Sequence, residues 1–397
     1  GEVMAGEDLA PLHVGNVHHY CSRFLFEQQV VLADSSIVSD EETISILADY
    51  THDDEERVIS DYQSSRNYQQ ILFFSHLMDQ MRHGHPWSLY LHPEALTEGD
   101  REALRYLCNR QKKPFAVEAL IEIYPCAENY FDDADAAPRE VAGKVRTLLK
   151  KMYYARRYAE YKADNHILDF EDLLLKTYDA YRADTQGRLR RYRWIQVDEV
   201  QDLNAMQMAI IDLITDTAVT RGEGMVMYLG DAQQAIFSFM GAKSDTLALL
   251  RQRCGDHIYH LNINHRSPAS LLAMTNHYAA EVLGVDRALL PTAQPGDATD
   301  CAEMRLIESP LIDSEYHDVA VLARSLALAD NRETTAIVVN SNYDADKVGE
   351  ALHALDMPFF QVSGTDIFAS VQVKTMLAHL NVLASETNFM AWARLLY

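Results

Sequence analysis

The chain has 397 residues, 48% of them hydrophobic, which is long enough for two or three compact domains with real cores. Its formal net charge of −24 excludes non-specific wrapping of duplex DNA as a main activity. There is no run of about 18 apolar residues to cross a membrane and no signal peptide, and five scattered cysteines without Cys-x-x-Cys spacing suit free thiols in a reducing cytoplasm.

Gly1 to Pro11 does not open on methionine and carries no strand signal, so it reads as an internal start. Gly15-Asn16-Val17-His18 then leads into an apolar-periodic helix through Cys21, Phe24 and Leu25. From Asp34 to Asp61 ten acids face one base, Arg57, the pattern of a solvated acidic face. From about Val30 to Asp164 the periodicity is helical, with amphipathic segments at Tyr68 to Met81, Arg101 to Gln111 and Val141 to Tyr161. The stretch Arg139 to Lys162 carries Arg139, Lys144, Arg146, Lys150, Lys151, Arg156, Arg157 and Lys162 against Glu140 and Glu160. Such a stripe is either a track for a single strand or an ordinary charged helix face.

Leu168-Asp169-Phe170-Glu171-Asp172-Leu173-Leu174 follows, and then an arginine cluster at 188, 190, 191 and 193. Trp194 to Val197 is apolar and β-branched enough for a short buried strand. Asn204 is placed to cap a helix whose apolar face is Met206, Ala209, Ile210, Leu213 and Ile214. Asp198 and Glu199 therefore sit at the carboxyl end of a strand, where open parallel sheets bind ligands. Two adjacent carboxylates there suit phosphoryl chemistry, one holding hydrated magnesium and the other orienting a water. Met225 to Leu229 is a second apolar run ending in Gly230-Asp231-Ala232-Gln233-Gln234-Ala235-Ile236-Phe237-Ser238-Phe239-Met240-Gly241-Ala242. A third, Ile258 to Leu261, ends in Asn262-Ile263-Asn264-His265-Arg266-Ser267. Beyond it, Pro268 to Leu283 reads as a helix, Pro291 to Asp300 as a loop, Thr335 to Asn340 as a strand, Tyr343 to Leu355 as a helix, Pro358 to Val362 as a strand end and Val371 to Ala384 as a helix. That alternation implies a second parallel α/β unit.

Taken in order, the stretches at 198–202, 230–242 and 264–267 resemble motifs II, III and IV of the UvrD/Rep family of superfamily 1 helicases. Asn16 to His18 resembles that family's motif Ib, with Asn16 and Val17 in place of threonine and phenylalanine, and Asp169 to Leu174 resembles motif Ic. The resemblance implies an α/β fold of two incomplete RecA-like parallel-sheet domains with an all-helical insertion. The expected segments are 1–29 and 165–256 for the first RecA-like domain, 30–164 for the insertion and 257–397 for part of the second.

By the same resemblance the cofactors are ATP and Mg2+, with Asp198 supporting the metal and Glu199 acting as catalytic base. Gln234 is the γ-phosphate sensor, Arg266 the arginine that completes the site, and Asp231 a further nucleotide-loop residue. Asn16, His18, Asp169, Phe170, Phe237 and Phe239 are the implied DNA contacts, the two aromatics of 237–239 as base-stacking candidates. Met240 departs from the family's usual arginine. The implied partners are single-stranded DNA and its junctions with duplex, with protein partners in repair or recombination.

No Gly-x-x-x-x-Gly-Lys-(Ser/Thr) occurs in the 397 residues, so the amides and lysine that cradle ATP phosphates are missing and this polypeptide is expected not to hydrolyse ATP. Two readings follow. The chain is an interior piece of an ATP-dependent helicase moving 3′ to 5′ on single-stranded DNA, or it is a P-loop-less relative acting as a DNA-binding or docking module.

Overall fold

The computed structural model describes residues 12–33, 35–38, 40–51, 62–82, 96–189, 192–215, 225–234, 246–293, 306–309, 311–329, 334–361, 371–384, 386 and 389–396. The chain divides into two compact units, Gly1–Arg253 with Thr375–Tyr397, and Cys254–Lys374. Residues 375–397 thus group with the first unit.

The first unit opens with α1 (Val17–Glu27), capped by Asn16, whose side-chain oxygen accepts the His19 N–H at 2.8 Å. Strand β1 (Ser36–Ile37) follows, then the helices α2 (Asp40–Thr51), α3 (Tyr62–Arg82), α4 (Glu98–Arg110), α5 (Ala119–Ile123), α6 (Phe131–Asp135) and α7 (Arg139–Asp164). The helices at 62–82, 98–110 and 139–164 fulfil the periodicity of the sequence. Their apolar stripes converge on one core, in which Phe74, Leu77, Leu104, Leu107, Leu148, Leu149 and Met152 are almost wholly excluded from solvent. Burying each such side chain contributes about 1.5–3 kcal/mol.

The stretch from Val30 is not wholly helical. Strand β1 pairs in parallel with β2 (Ile167–Leu168), in register Ser36 to Ile167 and Ile37 to Leu168. This pair brackets the helical insertion and holds its entrance beside its exit. Helix α8 (Phe170–Ala183) leaves β2 directly and packs on α1, with Phe24 stacked on Tyr181 at 4.5 Å between ring centroids.

Strand β3 (Trp194–Val197) pairs in parallel with β4 (Met225–Tyr228) over four residues, and α9 (Ala205–Ile214) covers them through Met208 and Ile211 together with Leu250 of α10 (Thr246–Cys254). Asn204 and Gln207 form a capping box at the start of α9, as the sequence predicts. The expected burial of β3 holds only at Val197; Trp194 is 53% exposed, because the described sheet has two strands and its faces are only partly covered.

In the second unit the strand forms at Ile263–Asn264 (β5) and not at 258–261, and it pairs in parallel with Thr292–Ala293 (β6), inside the expected loop. Helix α11 (Ala269–Glu281) follows β5. A small core joins α12 (Ile312–Ala329) to α13 (Asn342–Ala354) through Ala320, Ala323, Val348 and Leu352. Residues 335–340 and 358–361 are not strands: a strand needs a hydrogen-bonded neighbour, and none pairs with them among the described residues. The chain ends in α14 (Val371–Ala384) and α15 (Phe389–Leu396). No described helix is long and apolar enough to cross a membrane.

Candidate active site

The carboxyl ends of β3 and β4 lie side by side because the two strands are parallel and in register. Asp198 and Glu199, both exposed, leave β3 there. The Glu199 N–H donates to Asp198 Oδ1 at 3.0 Å, and Glu199 adopts a left-handed backbone (φ 49°, ψ 44°) that starts a 3₁₀ turn over Val200–Asp202. A non-glycine residue in that region stores about 1–3 kcal/mol, a cost borne where the surrounding structure fixes the side chain's direction.

Two backbone hydrogen bonds join the strand ends: Leu229 N–H to Val197 O at 2.8 Å and Val200 N–H to Leu229 O at 3.0 Å. Between them lies Gln201, only 2% exposed. Its Nε2 donates to Glu199 Oε2 at 2.6 Å, and its Oε1 accepts the Asp231 N–H at 3.1 Å. Asp231 in turn accepts from the Gln233 N–H at 2.9 Å and from Gln234 Nε2 at 3.0 Å. The structure thus gathers Asp198, Glu199, Asp231 and Gln234 at one edge of the sheet.

Gly230 permits this approach. A Cβ there would come within 2.6 Å of Gln201 Oε1 and 2.7 Å of Val200 Cγ1. Gly230→Ala is therefore expected to destabilise the chain by about 1–3 kcal/mol, as overpacked sites do. Urea unfolding followed by circular dichroism measures the loss, and an unchanged midpoint would show that the two loops do not press together.

Arg266 belongs to the second unit. There Asn264 Oδ1 accepts the backbone N–H groups of Arg266 and Ser267, at 2.9 and 2.8 Å, turning the chain after β5 and leaving Arg266 exposed. Phe237 and Phe239, with the rest of 235–245, lie outside the described residues.

The motif Ib and Ic residues meet where α1 and α8 begin. The His18 ring packs edge-on against Phe170, with centroids 5.5 Å apart and planes at 61°, and Phe170 remains 38% exposed. Asn16 is exposed at the start of the same helix, its oxygen committed to the cap. Asp169 differs from the expectation of a DNA contact. It is buried, caps α8, and accepts from Lys162 Nζ at 2.7 Å, Tyr158 Oη at 3.1 Å and the Asp172 N–H at 2.9 Å, with His76 Nε2 at 3.1 Å. A carboxylate whose oxygens accept from these groups inside the protein is closed to DNA; its place is to fix the start of α8 and hence Phe170.

The surrounding charges explain the shifts in this cluster. Burial alone would raise the Asp169 carboxyl, but the Lys162 ammonium and then His76 outweigh it and hold Asp169 well below the usual range. Burial likewise opposes a charged His76, yet the Asp169 carboxylate holds its pKa above the ordinary value. Asp172 is pushed up to about 6, by burial and then by the Asp169 charge, because one ammonium serves two carboxylates and Asp169 takes the larger share.

Among the described residues, six of the eight bases of the α7 stripe make ion pairs. Lys144 meets Glu102, Arg146 meets Asp135, Lys151 meets Asp100, Arg156 meets Glu128, Arg157 meets Glu160, and Lys162 meets Asp169 and Asp172. Gln201 and the Lys162 cluster carry weight that their sequence context did not single out. Gln201 stood inside the motif at 198–202 as one more polar residue, and His76 and Ser75, set within the apolar run Phe73 to Met78, were the one signal of a buried polar cluster.

Two family models match almost the whole chain. The UvrD/REP helicase N-terminal domain matches residues 2–255, and the UvrD-like helicase C-terminal domain matches residues 259–397. The chain belongs to the UvrD/Rep helicase family. It is 26% identical over 288 residues to the ATP-dependent DNA helicase UvrD1 of Mycobacterium tuberculosis, covering 70% of this chain and 35% of that protein. Against the ATP-dependent DNA helicase Rep of Escherichia coli it is 26% identical over 244 residues, 60% of this chain and 35% of Rep. Against DNA helicase II of Haemophilus influenzae the figures are 25% over 238 residues, 58% and 31%. The chain spans about a third of the length of these relatives. The α/β class expected of UvrD/Rep domains is the class observed, helix-rich with short parallel strand pairs.

Proposed function

We propose that the complete protein carrying this chain is an ATP-dependent DNA helicase that moves 3′ to 5′ on single-stranded DNA and opens the duplex at single-strand/duplex junctions. The observation that supports it most directly is the hydrogen-bonded row of Glu199, Gln201, Asp231 and Gln234 across two parallel strand ends, in a chain of the UvrD/Rep family. The two exposed acids at 198 and 199 are a donor set that fits magnesium, which takes one or two protein carboxylates and completes its shell with water and phosphate oxygens. Bound Mg-ATP supplies the phosphoryl group that is transferred to water.

In this reading Asp198 supports the metal and Glu199 takes the proton of the attacking water. Gln234 would exchange its hydrogen bond to Asp231 for one to the γ-phosphate, and Arg266 is the arginine that would add positive charge there; arginines in that role contribute on the order of 10³–10⁵ in rate. Asn16, His18 and Phe170, with Phe237 and Phe239, line the strand's path. Asp169 acts only by positioning. The 397 residues hold no P-loop, so this chain alone does not hydrolyse ATP in this reading.

The test is ATP hydrolysis by the complete protein with and without single-stranded DNA, together with strand displacement on substrates tailed at 3′ or 5′. DNA-stimulated hydrolysis with a 3′-tail preference is the expected result; DNA binding without hydrolysis would leave a binding module instead. Phe170→Ala is expected to weaken single-strand binding by about 1–3 kcal/mol, the worth of one stacked base. Fluorescence anisotropy on a labelled oligonucleotide reads this, and unaltered affinity would take Phe170 off the strand's path.

A further inference from the structure

The most heavily constrained group at the strand ends is neither carboxylate but the amide between them. Gln201 is 2% exposed, yet it touches two exposed residues, one from each loop. Both of its hydrogen bonds are fixed in sense: the Asp231 N–H can only donate, so Oε1 must face it, which leaves Nε2 to donate to the Glu199 carboxylate. Burial keeps water from competing for either bond. Around it the turn is closed by the Asp202 N–H to Glu199 O at 3.0 Å and zipped by the Val200 N–H to Leu229 O. Gly230 leaves the room for Oε1, since any side chain there would collide with it.

We propose that Gln201 is a positioning residue that ties the Glu199 carboxylate to the loop after β4, so that a movement of Asp231–Gln234 is passed to Glu199 through one buried amide. This rests on the reading of Glu199 as the base. Three hydrogen bonds in series join Glu199 to Gln201, Gln201 to the Asp231 N–H, and Asp231 to Gln234. When Gln234 leaves the Asp231 carboxylate, the loop that presents the Asp231 N–H is freed and the amide follows it. Glutamine is required because the position must donate on one side and accept on the other. Glutamate accepts from Asp231 but sets a second negative charge against Glu199, and methionine fills the volume but makes neither bond.

Two measurements test this. In the complete protein, Gln201→Met and Gln201→Glu are expected to lower the kcat of DNA-stimulated ATP hydrolysis by roughly 10–100-fold, the scale of a misplaced catalytic group, with KM for ATP unchanged. In the 397-residue chain, hydrogen exchange of the Asp231 amide is expected to accelerate about tenfold or more in Gln201→Met, the loss of roughly 1.4 kcal/mol of protection, while the Leu229 amide keeps its rate. KM and kcat changing together with a lowered Tm would reduce Gln201 to packing and overturn the proposal. So would an unchanged Asp231 amide. If the wild-type complete protein shows no hydrolysis, the helicase reading fails, and the exchange measurement still decides whether the tie exists.

Discussion

Glu199→Gln in the complete protein is expected to lower DNA-stimulated ATP hydrolysis by about 10²–10⁴-fold, the usual worth of a general base, while nucleotide and DNA affinities hold. The substitution keeps shape and removes only basicity. The introduced amide still accepts from Gln201 Nε2 through its oxygen, and the left-handed turn at 199 is closed by backbone groups that the substitution leaves alone. Single-turnover hydrolysis with saturating ATP measures the chemical step apart from binding. Retained DNA-stimulated turnover would remove Glu199 from the role of base and leave Asp198 and Glu199 as a polar turn.

Lys162→Met is expected to be the most destabilising single change in the helical insertion, by about 3–5 kcal/mol, the range for removing one partner of a buried ion pair. Lys162 is 5% exposed and its Nζ bridges Asp169 at 2.7 Å and Asp172 at 2.8 Å. Without it two buried carboxylates face each other, with His76 as the remaining cation. The effect depends on pH with a definite sign. Asp169 in the wild type has a depressed pKa, so it stabilises above the unfolded value of about 4 and that contribution is lost as pH falls through its folded pKa. Asp172, raised to about 6, acts oppositely: its contribution is full below about 4 and is lost as pH rises through 6. The deficit of Lys162→Met is therefore largest near pH 7, where both carboxylates must be buried charged, and shrinks toward pH 4. Urea unfolding followed by helical circular dichroism at the two pH values reads both. An equal deficit at pH 4 and pH 7 would show that lost packing, and not unpaired charge, sets the cost.

The same cluster explains how the insertion is held. Asp169 caps α8, His76 reaches it from α3 and Lys162 from α7, so three helices are fixed at one point beside the β1–β2 pair. Phe170, the next residue after Asp169, is aimed at His18 by that anchorage.

What the sequence determined alone is the local order. The 3.6-residue periods at 68–81, 101–111 and 141–161 placed the helices observed at 62–82, 98–110 and 139–164, Asn204 marked the start of α9, and the polar runs after Val197 and Leu229 marked the two strand ends that lie side by side. These depend on backbone preferences and side-chain spacing within one or two turns. The tertiary structure alone decided that Lys162, one of eight bases in a stripe, is a buried counter-ion, that Asp169 faces inward, that the strand after 258 forms at 263–264, and that Gln201 lies between two loops. Gln201 turns on Asp231, 30 residues away, and Asp169 on His76, 93 residues away, while Lys162 meets Asp169 7 residues on but across a change of element, from α7 to the cap of α8. Whether a polar side chain meets water or another buried group is set by what packs over it, and a local sequence pattern carries no record of that neighbour.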